Sequence, residues 1–154
     1  MPFGVIFGPP APARLARDGA RSVILLEGIN DIGAFSAAAS DLIQADQQIV
    51  AQAHAAGLRV YGATLVPLGG SNGQYGGDYG TPAGERQRQL LNHWIRTSGA
   101  FDAVFDFDRA LRNPAQPDRM LPQYDGGDHL HPGDAGYQKM ADTVDLTILL
   151  RAAR

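Results

Sequence analysis

Residues 22–33 read Ser-Val-Ile-Leu-Leu-Glu-Gly-Ile-Asn-Asp-Ile-Gly, and this stretch decides the fold. Ser22–Glu27 is a near-continuous apolar run without polar alternation. Such a run suits a parallel strand buried on both faces. Gly28–Gly33 then reads as a turn. A strand that ends at a glycine turn presents its next polar side chains, Asn30 and Asp31, at the carboxyl edge of a sheet. That edge is where open α/β folds bind ligands.

The same punctuation recurs downstream. Ser40 is the expected N-cap of a helix with apolar residues at Leu42, Ala45, Ile49, Ala53 and Ala56, and Gly57 sits where a C′ glycine belongs. Leu58–Val66 reads as a second buried strand, ended by Pro67. A glycine-rich loop, Gly69–Gly80, follows. Thr81-Pro82 opens a helix, with Thr as N-cap and Pro at its first position. That helix has an apolar face of Leu90, Leu91, Trp94 and Ile95, and Gly99 stops it. Ala103–Phe107 is the third strand, and Arg109–Asp128 reads mostly as loop. A last helix is expected from Asp134 to Leu150, with Tyr137, Met140, Ala141, Val144 and Ile148 on one face. Strands alternating with helices predict a single α/β domain over residues 1–154, built on a parallel sheet.

Composition narrows the function. Apolar residues are 44% of the 154 and charged residues 19%, which fits a globular domain and excludes a disordered one. A net charge of −3 offers no basic surface for nucleic acid or anionic membrane. No apolar run approaches the roughly 20 residues that span a bilayer. Cysteine is absent, which excludes disulfides, thiolate catalysis and cysteine zinc sites. The N-terminal stretch lacks a basic region, and glycine and proline break its apolar residues. It does not read as a signal peptide, so the cytosol is the default expectation.

Two clusters carry possible chemistry. Asn30 can donate an amide hydrogen bond to a developing oxyanion, or Asn30 and Asp31 can simply cap local backbone. Residues 125–134 hold Asp125, Asp128, His129, His131, Pro132 and Asp134. Asp128 and His131 suit an acid–imidazole pair, with the carboxylate orienting the ring as a general base. A plain polar helix entry suits the stretch as well as the pair does, and a metal site through His129 and His131 with Asp125 or Asp128 is the lesser alternative. The loop around Ser71 lacks the lysine and spacing of a phosphate-binding loop and reads as a wall over a site. His54 and His93 fall within helices and read as structural or solvated.

In this order, these blocks resemble the SGNH (GDSL-type) hydrolase family. VILLEGINDIG matches the family block in which Gly28 precedes Asn30. DGGDHLHPGDAGY matches the D-x-x-H block through Asp128, His131 and Pro132. GLRVYGATLVPLGG, TPAGERQRQLLNHWIRTSGAFDAVFDFD and MADTVDL are similar to a branch of aryl- and acetyl-esterases associated with plant polysaccharide breakdown. The resemblance runs from about Phe7 to Leu149. It implies a three-layer αβα, flavodoxin-like fold and hydrolysis of a small acyl ester without metal or cofactor. His131 would serve as base and Asp128 as its partner, with Asn30 as oxyanion donor and Gly28, Asp31 and Ser71 on the substrate side. Relatives in this family are commonly exported.

The family's G-D-S block, with its serine nucleophile, has no counterpart here. Of the five serines, Ser22, Ser36, Ser40, Ser71 and Ser98, none stands in that context. A βαβ unit takes roughly 30 residues or more, so Met1–Arg21 is too short to hold the family's first strands. The expectation is therefore a domain lacking those strands, with the nucleophile unidentified and Ser71 or Ser36 as weak substitutes. Against an active esterase stand a shortened domain without turnover, which binds esters or carbohydrate or has no independent role, and a metal-dependent hydrolase through His129 and His131. With its expected neighbours missing, Ser22–Glu27 becomes an apolar sheet edge, a template for pairing. A homodimer across that edge is expected, or a fold-back of Val5-Ile6-Phe7 onto it.

Overall fold

A computed structural model of the chain describes residues 19–150. The elements run in the order β1 (Ser22–Leu25), α1 (Ile29–Phe35), α2 (Ala39–Ala55), β2 (Arg59–Ala63), α3 (Asn72–Tyr75) and α4 (Pro82–Thr97). There follow β3 (Ala103–Phe105), α5 (Phe107–Leu111), β4 (Arg112–Asn113), β5 (Gln116–Met120), α6 (Asp134–Thr143) and α7 (Leu146–Leu149). β1, β2 and β3 form a parallel sheet in that order, with Ser22 opposite Arg59 and Tyr61 opposite Ala103.

Both faces of β2 are covered, because successive side chains of a strand point to opposite sides. Val60 packs with Leu25, Val50, Ala53 and Leu58 toward α2. Tyr61 and Ala63 pack on the other side with Phe105, Phe107, Leu111 and Met120, beneath Met140, Val144 and Ile148 of the C-terminal segment. This is the expected αβα layering. Within the described residues β1 is an edge strand, and Ile24 and Leu26 remain 43% and 37% exposed there. The segment Val5–Phe7, which the sequence offered as a cover, lies outside the described residues.

Beyond Ala63 one more sheet bond forms, from the Thr64 amide to the Phe105 carbonyl (3.1 Å), and Leu65 and Val66 then stay buried without ladder partners. Buried backbone polar groups need partners, and α4 supplies them. Asn92 accepts from the Leu65 amide (2.7 Å) and donates to the Leu65 carbonyl (2.8 Å). The fully buried Arg88 donates to the same carbonyl (2.9 Å), to Asp108 (2.7 Å) and through two nitrogens to Glu85. Arg96 joins Asp106 and Asp108, and Thr64 bridges Asp106 and the Asp108 amide. The segments that leave β2 and β3 are thus tied together by charge and amide groups of one helix.

Several local expectations hold. Gly57 at φ 76° closes α2 with bonds from the Gly57 and Leu58 amides to His54 and Ala53. Thr81 caps α4 by accepting from the Gly84 amide at 3.1 Å. Others are corrected. Gly28–Gly33 is not a turn: Gly28 bends at φ 115°, and α1 begins immediately, buried through Ile32. Ser40 is not the cap of α2, which starts after Ala38, because Gln87 of α4 accepts from the Ala39 amide (2.8 Å). The strands are shorter than the apolar runs: register pairing stops at Leu25, Ala63 and Phe105, while burial continues past Ala63 and at Phe107 but not at Leu26 and Glu27.

Residues 109–128 hold more structure than the loop expected. Asp106 caps α5 at the Arg109 amide (3.1 Å), and β4 and β5 pair as a hairpin. The last helix is two. Val144 is extended, and Asp145 opens α7 by capping the Thr147 amide (2.8 Å). The apolar face expected on α4 holds at Leu91, Trp94 and Ile95, but Leu90 is 57% exposed, and Arg88 and Asn92 are buried by their own bonds.

Candidate active site

The start of α1, after the bend at Gly28, and the loop before α6 meet at the carboxyl end of the sheet. Gly28 is buried there, where a Cβ would come within 3.1 Å of Leu91 and 3.3 Å of Leu42. That close passage lets α1 start against α4 and leaves Asn30 at the surface. Tyr79 donates its hydroxyl proton to the Asn30 amide oxygen (2.7 Å). With the oxygen engaged, the amide NH2 group is the face left to donate.

The second half of the site is a short rigid loop. Gly126 donates to the His131 carbonyl (2.9 Å), Gly133 donates to Tyr124 (2.8 Å), and Asp125 bridges Pro132. A Cβ on Gly126 would lie 2.7 Å from the His131 carbonyl oxygen, so only glycine passes there. Asp128 organises the centre. One carboxylate oxygen accepts from the Leu130 and His131 amides (2.9 and 2.8 Å), the other from His131 Nδ1 at 2.7 Å. Burial disfavours the charged form of Asp128, but these bonds and one from the Tyr75 hydroxyl outweigh it and hold the carboxyl well below its usual range. A carboxylate can only accept, so His131 carries its proton on Nδ1 and leaves Nε2 with a free lone pair.

Asn30 and His131 line one cavity of about 230 Å³, with Gly28, Ile29, Leu65 and Val66 on the sheet side and Leu130, Pro132 and Met140 opposite. The arrangement places a base and a neutral hydrogen-bond donor around a small, mostly apolar space. The other residues read as site members are elsewhere. Asp31 does not line this cavity; it faces α2, where its charge and that of Glu27 act on Asp46. Ser71 is fully buried and donates its hydroxyl to the Leu68 carbonyl at 2.6 Å, which leaves it neither exposed to substrate nor free to attack. Ser36 ends α1 in a left-handed conformation, outside the cavity lining.

His129 and His131 are not gathered on a common centre. Each is held by its own carboxylate, His129 Nδ1 by Asp125 at 2.5 Å. Among the described residues no group of three His, Cys, Asp or Glu side chains is placed to hold a metal ion. His54 pairs with Asp102 (3.0 Å), which suits its structural reading. Tyr75 and Tyr79 are the site residues that sequence reasoning missed. Their four-residue spacing within the glycine-rich loop was the available signal, but nothing local indicated what they would reach.

A parallel α/β sheet with a hydrogen-bonded Asp–His pair and an amide at its carboxyl end defines the class, an α/β domain with one polar site at the sheet edge. The sequence pattern of the GDSL-like Lipase/Acylhydrolase family matches residues 7–139, and the chain belongs to that family, whose members are hydrolases of the SGNH type. A solved structure from Streptococcus pneumonia, whose name refers to platelet activating factor, is similar in fold. It aligns with a TM-score of 0.66 at 16% identity, over 83% of this chain and 59% of that one. The chain therefore spans less than two thirds of the length of that protein. No curated protein matches the sequence.

Proposed function

We propose that the chain hydrolyses carboxylic esters with a short acyl group. The observation that carries this reading is the shared cavity: His131 and Asn30 line the same small space. Its volume of about 230 Å³ is below the roughly 300–1,000 Å³ of pockets that hold drug-sized ligands. Leu26, Ile29, Val66, Leu130 and Met140 give it an apolar wall for the acyl chain.

In this reading, His131 Nε2 takes the proton of an attacking O–H as its oxygen bonds to the ester carbonyl carbon. Asp128 steadies the imidazolium through Nδ1. The carbonyl oxygen becomes negative and receives the Asn30 amide proton as a hydrogen bond. Collapse breaks the bond to the alcohol, which takes its proton from His131; where the attacking oxygen belongs to a side chain, a water deprotonated by His131 then attacks the acyl group, and the side-chain oxygen leaves with that proton. The lining holds no serine to supply the attacking oxygen. Ser22 opens β1, Ser40 lies in the first turn of α2, Ser98 closes α4, and none of the five serines lines the cavity. That same observation favours a second reading, an ester-binding domain without turnover.

The two readings separate on p-nitrophenyl acetate. Turnover that falls about 100-fold or more in His131→Ala, falls comparably in Asn30→Ala, and is indifferent to chelators supports hydrolysis. Phosphonate labelling with mass mapping then names the attacking residue, if it is a serine. No turnover above buffer refutes the first reading and leaves the second.

A further inference from the structure

The glycine-rich loop touches both halves of the site. Tyr75, the last residue of α3, donates its hydroxyl proton to Asp128 at 2.7 Å. The acceptor is the same carboxylate oxygen that holds His131 Nδ1. The Tyr75 ring also stands edge-on to the His131 ring, with centroids 6.0 Å apart at 73°. Four residues on, Tyr79 packs against Tyr75 at 5.7 Å and holds the Asn30 amide. Neither tyrosine lines the cavity. We propose that Tyr75 is a positioning residue: by sharing one oxygen of Asp128 with His131, it sets the basicity and ring orientation of the imidazole from outside the reacting space. The role rests on the hydrolytic reading for its purpose, but not for its test.

The physical argument is competition for one acceptor. A hydroxyl that donates to a carboxylate takes up part of its negative charge. Less of that charge then remains to stabilise an imidazolium on the same oxygen, so the Tyr75 bond holds His131 toward its neutral, base-competent form. Consistently, the bond to Asp128 is the main cause that raises the Tyr75 hydroxyl above its ordinary range. The edge-on ring blocks rotation of the imidazole away from Asp128. Other ionisable groups near His131 are Glu27 and Tyr137, which line the same cavity, Asp134 at the start of α6, and the Asp125–His129 pair of the same loop. None of these shares the oxygen.

The test needs no substrate. The His131 ring Cε1–H signal is followed by NMR against pH in the parent, in Tyr75→Phe and in Tyr79→Phe. The proposal expects Tyr75→Phe to move the His131 profile to higher pH by roughly half a pH unit. Water reaching the Asp128 carboxylate, whose side chain is 22% exposed, keeps the change below the full effect of a lost charge-assisted bond. Tyr79→Phe serves as the control for disturbance of the loop and should leave the profile in place. Asp128→Asn supplies the second control: in that background, adding Tyr75→Phe should move nothing. An unchanged profile in a Tyr75→Phe protein with a native spectrum overturns the proposal. So does an equal shift in the Asp128→Asn background, since the tyrosine would then act through some other group. A protein that turns over no ester yet shows the expected shifts would overturn the hydrolytic reading and keep this one.

Discussion

Gly33→Ala tests whether the Tyr79 ring holds the oxyanion donor. Gly33 lies in α1, and a Cβ built there would stand 2.2 Å from two carbons of the Tyr79 ring. Ordinary contact begins near 3.4 Å, so the ring must retreat by about 1.2 Å. It has little room, since Tyr79 is 8% exposed and packed among Leu68, Leu130 and Ile29. A retreat of that size stretches its 2.7 Å bond to Asn30 close to 4 Å, beyond hydrogen-bonding reach. Helix propensity pulls the other way, because Ala is favoured over Gly by about 1 kcal/mol inside a helix. Overpacking costs about 1–3 kcal/mol, and the lost hydrogen bond costs about 1 kcal/mol more. The net is a destabilisation of about 1–3 kcal/mol, which overpacking decides. Its centre, about 2 kcal/mol, corresponds to a fall of about 4–8 °C in melting temperature for a chain of this size. The Asn30 side-chain amide signals should shift in the same variant, and ester turnover should fall about 10-fold, a partial loss of an oxyanion donor. Calorimetry and a two-dimensional amide spectrum read both effects. A melting temperature at or above the parent's, with the Asn30 amide unmoved, would show that propensity wins and that Tyr79 does not hold Asn30.

Three further outcomes follow from the fold. Burial, then the charges of Glu27 and Asp31, push the Asp46 carboxyl up to about 7. A raised carboxyl favours the folded state while protonated, so stability should decline as pH rises from about 4 through 7. Asp46→Asn should therefore gain stability at pH 8 and gain little at pH 4, as read by urea denaturation; equal effects at both would refute the assignment. Arg88→Met leaves Asp108 buried beside only part of its former partners, and a broken buried pair costs about 3–5 kcal/mol. A change below about 1 kcal/mol in chemical denaturation would mean the network is dispensable. At the β1 edge we propose pairing with a second copy through Ser22–Glu27. Sedimentation should show a dimer that Ile24→Lys dissociates, and a compact monomer at high concentration would refute the pairing.

What was legible in the sequence was local or patterned. The Gly57 closure, the Thr81 cap and the three apolar runs depend on neighbouring residues, and they appear where the sequence placed them. Asp128 and His131 are three residues apart, so a single Asx-type turn brings them together. The missed features depend on contacts distant in sequence. Gln87 caps α2 from 48 residues away, which no reading of Ser40 would reveal. Tyr75 and Tyr79 reach Asp128 and Asn30 across 53 and 49 residues. The strand Gln116–Met120 is polar, contains Pro117 and is mostly exposed, so it carries no apolar signal to read. Ser71 was misread for the opposite reason: a serine in a glycine-rich loop looks accessible, but its hydroxyl is folded inward onto its own turn.

The buried arginine also limits how this fold can be assembled wrongly. An apolar helix can slide along an apolar sheet by a turn and lose only some fit. α4 does not have that freedom. Moving it by one residue would take Arg88 from Asp108 and Asn92 from Leu65, stranding a charge and two backbone groups without water. The misaligned states are thereby made expensive, while the aligned state gains little from the ion pair itself. The network works as a proofreading device, and through Leu65 it fixes the floor of the cavity that faces Asn30 and His131.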